Sequence, residues 1–466
     1  MTEAVANLHP DYTARAPEWS LMRDAAWGES AVKDAGETYL PKPGGFKSQS
    51  DGGVAMYAAY KTRAGFPEIV SPAVLSMVGV IHQAEIKIDL PAGLEGMWER
   101  ATADGLPLEA FHRRITAELL TTGRYAVLTD APSTGSVPWL AGYQAESLIN
   151  WSDDRTMFVL DESGLVRDGF SWEEKKQYLA LLMEEGRYVG RRYDQAGNVI
   201  EGQEAQPTTA RRETLAEIPL VVIGPRDLAL KPETPPLIAI ARSAKAMYQL
   251  SADYRWQLFM TGQETLFVIN GDAPDTVGAG VVVALKGGSD GNPPNAKYVG
   301  PAGTGIEAHR KAIQDEAQNA ANAGARLFNS GDKGVESGVA QRFRFSAETA
   351  SLISIAQASC AGLEKALRYA GRMIGLSDAE IAQIIVKPPA TLADREMTPE
   401  RMAAIMGLWE KALISYETAY ENLQQGGVAN PDRTWEQEQA LIDREDSGAE
   451  DARAALPPPL DPDEAV

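Results

Sequence analysis

Apolar residues recur at helical spacing in MYAAYKTRAGF (56–66), which Pro67 ends, and again in SPAVLSMVGVIHQ (71–83). A third helix is predicted from Leu108 to Thr122, with Phe111, Ile115, Leu119 and Leu120 on one side. YAVLTD (125–130) reads as a strand entering the middle of the fold. The period then changes. Between 155 and 224 the runs TMFVLDE, YLALLME, RYVGRRY and VVIG are strand-like, and EEG and DQAGN between them are turn signals. They predict an antiparallel meander beside helices, so the N-terminal half is α+β. Residues 1–40 are polar with helical patches, and PKPGGFKSQSDGG (41–53) reads as a flexible, breaker-rich loop.

From Pro235 the pattern is helical. Pro235 and Pro236 suit a helix start, and Leu237, Ile240, Ala244, Met247, Tyr254 and Leu258 keep the period through to Gly262. That is a rod of roughly 40 Å at about 1.5 Å per residue. ETLFVINGDAPD and GAGVVVAL then read as two strands, and KGGSDGNPPNAKYVGPAGTG as loop. A second helix is predicted from about Ile306 to Leu327. Its stripe of Ile313, Ala317, Ala320, Ala321, Gly324 and Leu327 is mostly small, so another backbone can approach closely, while Glu307, Arg310, Lys311, Gln314, Asp315, Gln318 and Asn322 form a polar face. FNSGDKGVESGVAQRFRF (328–345) follows as a glycine-containing charged loop. A helix runs from Ala347 to about Ile374, LSDAEIAQIIV (376–386) reads as a short helix, and Pro388 and Pro389 break the chain. Thr398 as N-cap and Pro399 at the first helical position open a last long helix carrying Met402, Ile405, Met406, Trp409, Leu413, Tyr416 and Tyr420. Residues 443–466 hold eight acids and two bases and read as a disordered tail. No internal repeat is found.

Length and charge narrow the function. A chain of 466 residues exceeds one ordinary core and suggests on the order of two to four substructures. The formal net charge of −21 argues against gripping nucleic acid by neutralising phosphates, although an acidic surface that repels DNA is compatible with it. The single cysteine, Cys360, excludes an intramolecular disulfide, and Leu352, Ile353, Ile355 and Ala356 around it on a helix predict a buried thiol rather than a nucleophile. No apolar run is long enough to span a membrane, and MTEAVANLHPDYTARAPEW lacks the basic and apolar regions of a signal peptide. The expectation is a soluble protein of a reducing cytoplasm.

Catalytic patterns do not assemble. Gly331, Gly334 and Gly338 follow a helix and Lys333 precedes the last two glycines, which is the wrong order for a phosphate-binding loop, and GPAGTG (300–305) has no lysine. His9, His82, His112 and His309 show no metal-ligand spacing, and no nucleophile elbow occurs. WSDD (151–154) offers a carboxylate pair, Asp153 and Asp154, for metal or acid–base work, or simply a turn after Trp151. No catalytic residue, cofactor site or metal site is assigned.

YKTRAGFPEIV (60–70), LLTTGRYAVLTDAP (119–132), GYQAESLINW (142–151), SADYRWQLFMTGQETLFVING (251–271) and the helix from Ser351 to Met373 resemble, in this order, portal proteins of tailed bacteriophages. They resemble most a portal family usually labelled only as a domain of unknown function. The stretches span residue 60 to about 375.

The resemblance implies a portal-like α+β fold. Residues 1–234 would be the N-terminal part of a wing, 235–262 and 306–327 two stem helices, and 263–305 a small β-containing clip. Residues 328–345 would be the tunnel loop, 346–395 the returning wing, 396–442 a short helical crown and 443–466 the acidic tail. It implies a homo-oligomeric ring, commonly of twelve subunits, around double-stranded DNA at one capsid vertex of the virion. The ring would be assembled in the host cytoplasm, beside the major capsid protein. The clip would dock the terminase large subunit and later the head–tail adaptor protein. In that frame Lys333, Arg342 and Arg344 would touch DNA weakly, with Asp332 and Glu336 limiting the contact. For Arg342 and Arg344 the alternative is a short wing strand alternating with Phe343 and Phe345. Ala317, Ala320, Ala321 and Gly324 would pack against a neighbouring subunit. The rivals are another virion structural or adaptor protein, and an enzyme using Asp153 and Asp154.

Overall fold

The computed structural model describes residues 5–83, 86–131, 138–262, 265–271, 276, 285, 293–299, 303, 305–325, 338–389, 399–411, 413–425, 428–430 and 433–454. Two units separate, Met1–Leu392 and Ala393–Val466.

In the first unit, α1 (Pro10–Trp27) opens where the His9 ring accepts the Asp11 amide, and it buries Trp19, Leu21, Met22 and Ala25. The short α2 (Glu29–Asp34) follows. Residues 44–48 form a 3-10 turn, not the featureless loop expected from the breakers, because Phe46 is buried against the rings of Tyr60 and Trp256. Helices α3 (Val54–Arg63), α4 (Val70–Gln83) and α5 (Leu108–Thr121) lie where the periodicity puts them, and β1 (Lys87–Asp89) comes between the last two. Their apolar stripes, such as Val70, Val74, Met77 and Ile81 of α4, are buried.

The strands follow in a run: β2 (Tyr125–Asp130), β3 (Trp139–Gln144), β4 (Leu148–Trp151), β5 (Met157–Asp161), β6 (Gly164–Asp168), β7 (Ser171–Lys175), β8 (Gln177–Glu184), β9 (Arg187–Asp194), β10 (Val199–Ala205) and β11 (Leu220–Ile223). The expected meander exists as an antiparallel sheet of order β10-β9-β8-β5-β4. VVIG does not belong to it. β11 instead pairs with β2, Leu220 opposite Leu128 and Ile223 opposite Tyr125, in a second sheet of order β11-β2-β3. All four β11 residues are buried, so a strand without polar alternation is drawn to the sheet covered by helices. β6 and β7 form a separate exposed hairpin.

Next come α6 (Ile238–Thr261), β12 (Thr265–Ile269), β13 (Asn295–Val299) and α7 (Ile306–Ala325). β13 lies within the stretch expected to be loop. Asn295–Val299 pairs antiparallel with β12, and GAGVVVAL falls almost wholly outside the described residues. Helix α8 (Gly338–Met373) buries a long face, including Leu352, Ile355, Cys360, Leu363, Ala366, Leu367 and Ala370, against α4, α5, β2 and β11. Gly362 permits this, because a Cβ there would lie 2.3 Å from Ile223 Cδ1. The expected short helix is cut to α9 (Asp378–Ile381), capped by a reciprocal Ser377–Glu380 box. The β-branched end of the same stretch becomes β14 (Ile385–Lys387), paired with β1.

The second unit, by itself, holds α10 (Pro399–Glu410), α11 (Tyr416–Gln425) and α12 (Trp435–Ala454). The single long helix expected after Thr398 is therefore two. Ser415 starts a new helix by accepting the Thr418 amide at 3.1 Å, while Thr398 lies outside the described residues. Residues 443–454, read as the start of a disordered tail, continue α12, and 455–466 lie outside the description. Among the described residues no helix is long and apolar enough to cross a membrane.

Candidate functional site

The feature that departs most from an ordinary α+β body is the hairpin of α6 and α7. Its base is set by burial. Ile238, Ile240, Ala241, Ala244, Met247, Tyr248 and Ala252 are buried, whereas none of the residues from Asp253 to Thr261 is. Helix α6 thus starts in the core and leaves it after about 20 Å of its length of about 36 Å. Helix α7 returns antiparallel. Near the tip a Cβ on Gly305 would lie 3.0 Å from Gln257 Oε1, and near the base one on Gly324 would lie 3.6 Å from Ile240 Cδ1. The tip carries β12 and β13, with Phe267, Ile269, Tyr298 and Val299 exposed.

The small-residue stripe of α7 straddles the edge of this contact. Ala320 is buried and Gly324 half-buried beside α6 of the same chain, where the expectation set all four small residues against a neighbouring subunit. Ala317 and Ala321 lie about 60–100° further round the helix and are exposed. Glu307, Arg310, Lys311, Gln314, Asp315, Gln318 and Asn322 are exposed as their polarity predicts. Spacing marks the stripe's width but not which part of it the hairpin consumes.

The segment after α7 is shorter as a loop than expected. Helix α8 begins at Gly338, so Arg342 and Arg344 lie on its first turns, neither on a loop nor on a strand. All three glycines of the stretch lie at or before that start, and the following VAQRFRFSAET contains no helix breaker. Lys333, Asp332 and Glu336 lie outside the described residues.

Two stretches far apart in sequence join at the hairpin's base. Tyr60 Oη donates to Asp253 Oδ1 at 2.5 Å, the Gly65 amide donates to Ser251 Oγ at 3.1 Å, and Arg255 Nη1 donates to the Arg63 carbonyl at 2.9 Å. The Arg63 guanidinium sits 3.8 Å from the Phe259 ring centroid. Burial first, then the Asp253 carboxylate, raises the Tyr60 hydroxyl well above its usual range. LLTTGRYAVLTDAP and GYQAESLINW meet likewise. Tyr125 Oη occupies the space a Cβ on Gly142 would need, and the Arg124 guanidinium lies 4.0 Å from the Trp151 ring centroid. Arg23 bridges Glu118 and Glu146, with Nε donating to Glu146 Oε1 at 2.8 Å. Thr129 Oγ1 donates to the Ala366 carbonyl of α8 at 3.0 Å.

The possible chemical groups are placed for structure. Asp154 accepts the Thr156 amide and hydroxyl in a turn after Trp151. Hydrogen bonds from Ser152 and Thr156 hold its carboxyl below the usual range, the reverse of a proton-holding general acid. Asp153 is exposed on the same turn. One cluster escaped spacing analysis. His82 on α4 and His112 on α5 meet edge to face at 4.9 Å, His112 Nε2 lies 3.1 Å from Ser359 Oγ and 3.8 Å from Cys360 Sγ, and His82 Nε2 lies 2.9 Å from Thr116 Oγ1. Burial pushes the thiol up to about 12 and draws His112 down to about 3, which opposes a thiolate–imidazolium pair. Among the described residues no group of three or more His, Cys, Asp or Glu side chains can hold a metal ion.

Residues 236–373 match a protein family described as a domain of unknown function (DUF4055). Among curated proteins none matches. Solved structures with similar chains include the neck of an empty GTA particle computed with C6 symmetry, at 15% identity and a TM-score of 0.39, covering 78% of this chain and 90% of that one. A chain of the neck of the native GTA particle computed with C12 symmetry is 15% identical with a TM-score of 0.37, covering 77% and 89%. A chain of the virion of the native gene transfer agent (GTA) particle is 15% identical with a TM-score of 0.40, covering 85% and 99%.

Proposed function

We propose that this chain is the subunit of a ring-shaped portal of a tailed bacteriophage, sited at one capsid vertex. The observation that carries this reading is the antiparallel hairpin of α6 and α7, rooted in the core and tipped by the β12–β13 pair. A monomeric enzyme has no evident use for a rod that leaves its core and ends in exposed Phe267, Ile269 and Tyr298. In a ring, the hairpins stand side by side as a stem, and the tips present a clip to the terminase large subunit and then to the head–tail adaptor. The sheets and α8 form the wing, which meets the major capsid protein.

Charge supports the same role. A subunit of −21 gives a ring an acidic wall, along which double-stranded DNA slides rather than sticks. Ala317 and Ala321, exposed on α7, are the positions we assign to close packing between neighbouring stems. Lys333, with Arg342 and Arg344 at the start of α8, is assigned to weak contact with passing DNA.

The test is the solution mass of the full-length protein, read together with negative-stain images. Twelve subunits of 50.2 kDa give about 602 kDa, and rings with a central hole support the proposal. A compact dimer or tetramer without a hole overturns it.

A further inference from the structure

We propose that Arg124 and Arg155 form a two-armed clamp that fixes the direction of the α6/α7 hairpin by holding the connector leading into it. The inference concerns one chain and does not depend on ring formation. The connector, residues 224–237, contains neither helix nor strand. Its own bonds are local, with the Gly224 amide donating to the Asp227 carbonyl at 2.8 Å and Arg226 pairing with Glu233, and they tie its middle to neither sheet. Arg155 Nη2 donates to the Leu228 carbonyl at 2.9 Å, and Arg124 Nη2 donates to the Leu230 carbonyl at 3.1 Å. The arms come from different sheets. Arg124 immediately precedes β2 of the three-stranded sheet, and Arg155 lies in the turn between β4 and β5 of the five-stranded one.

Both arms sit where an arginine is costly. Arg124 is 1% exposed and has no carboxylate partner among the described residues, and its Nε and Nη1 make no hydrogen bond. Asp11 acts on it only from beyond ion-pair distance, and a buried cation so weakly compensated is normally replaced to advantage by an apolar side chain. What the cation supplies and a methionine would not is a strong donor to the Leu230 carbonyl, while stacking on Trp151 holds the guanidinium plane. Arg155 has φ +60°, left-handed backbone that suits glycine or asparagine better. Its side chain leaves that turn to reach the connector. Two further contacts define the connector's ends: Ser354 Oγ of α8 donates to the Pro225 carbonyl at 3.4 Å, and Gly123, at φ +71°, lies so close to Pro235 that a Cβ would be 3.3 Å from its Cα.

The experiment uses the full-length protein with spin labels at Leu75→Cys on α4 and Met260→Cys on α6, both exposed. Cys360, the single native cysteine, is fully buried and does not compete for label. Labelled chains are diluted with unlabelled ones so that only distances within a chain are read. Arg155→Ala and Arg124→Met are each expected to broaden the distance distribution and to speed amide exchange in 224–237 by about tenfold or more, as loss of a charge-assisted hydrogen bond does. Exchange in 352–370 of α8 should stay unchanged. Arg124→Lys, which keeps one donor, should fall between wild type and Arg124→Met. If Arg124→Met does not fold, Arg155→Ala decides alone. A merely structural role would move the unfolding midpoint without local release. Unchanged connector exchange in Arg155→Ala, or acceleration equal in α8 and the connector, overturns the clamp.

Discussion

Tyr60 donates its hydroxyl to the Asp253 carboxylate at 2.5 Å, joining α3 to α6 at the point where α6 leaves the core. The two residues stand 193 positions apart. Around them Phe46, Trp256 and Tyr60 pack ring against ring, with centroids 5.3–6.0 Å apart. Tyr60→Phe keeps the ring and removes the donor. It should cost about 1–2 kcal/mol, discounted because Asp253 is exposed. Asp253→Asn, which retains an acceptor oxygen, should cost less. Urea unfolding of both variants checks the order, and equal losses would contradict it.

Gly362 is where α8 touches the three-stranded sheet. A Cβ there would lie 2.3 Å from Ile223 Cδ1 and 2.6 Å from its Cγ1. Gly362→Val should therefore destabilise the first unit by about 1–3 kcal/mol through overpacking. Adding Ile223→Ala in the same chain should recover part of the loss. Thermal unfolding of the single and double variants reads the coupling, and simple additivity would show that the two side chains do not meet.

His82 and His112 predict an acid limb to the stability curve. Burial lowers His82 to about 4 and His112 to about 3, each from an ordinary 6.5. Below 6.5 the unfolded chain binds the proton and the folded one does not. Stability is therefore full above about 6.5 and falls as the pH drops toward 3. For the fully buried His112 the loss at pH 5 is about 2 kcal/mol, with less from the part-exposed His82. His112→Gln, which can still pair with Ser359, should flatten this limb. Denaturant unfolding from pH 7 to pH 4.5 measures it, and an unaltered slope in the variant would count against the assignment.

Under the portal proposal, Ala317→Arg with Ala321→Arg should prevent ring closure while leaving the fold intact, because both positions are exposed in the single chain. Particle mass should drop from about 602 kDa toward the 50.2 kDa subunit, with circular dichroism unchanged. Gly324 is a poorer probe. A Cβ there already touches Ile240 of the same chain at 3.6 Å, so a larger side chain tests the hairpin together with the interface. Full-sized rings from the double variant would remove these two positions from the interface.

Periodicity alone located α3, α4, α5, β2, the meander strands β5, β8 and β9 and both hairpin helices to within a few residues, because each shows its apolar face, whereas β4 and β10 of the same sheet went unread. Cys360 also read correctly as a buried thiol, since its helical neighbours are apolar. Tertiary structure decided the partners. VVIG is equally apolar in either sheet, and only the cover provided by α8 sends it to β2. Asn295–Val299 looks like loop until Thr265–Ile269 supplies a ladder of hydrogen bonds. The helical start at Gly338 was hidden because glycines just before it dominated the local signal. The same holds at the candidate site. Composition could show that α7 carries small residues, but not that Ala320 and Gly324 are consumed within the chain while Ala317 and Ala321 stay free. Nor does any spacing bring Arg124 and Arg155 to the carbonyls of Leu230 and Leu228 in the connector. Sequence determines which residues can be buried and how often they recur. Which surfaces meet depends on contacts between residues hundreds of positions apart, and a one-dimensional pattern carries no distance between them.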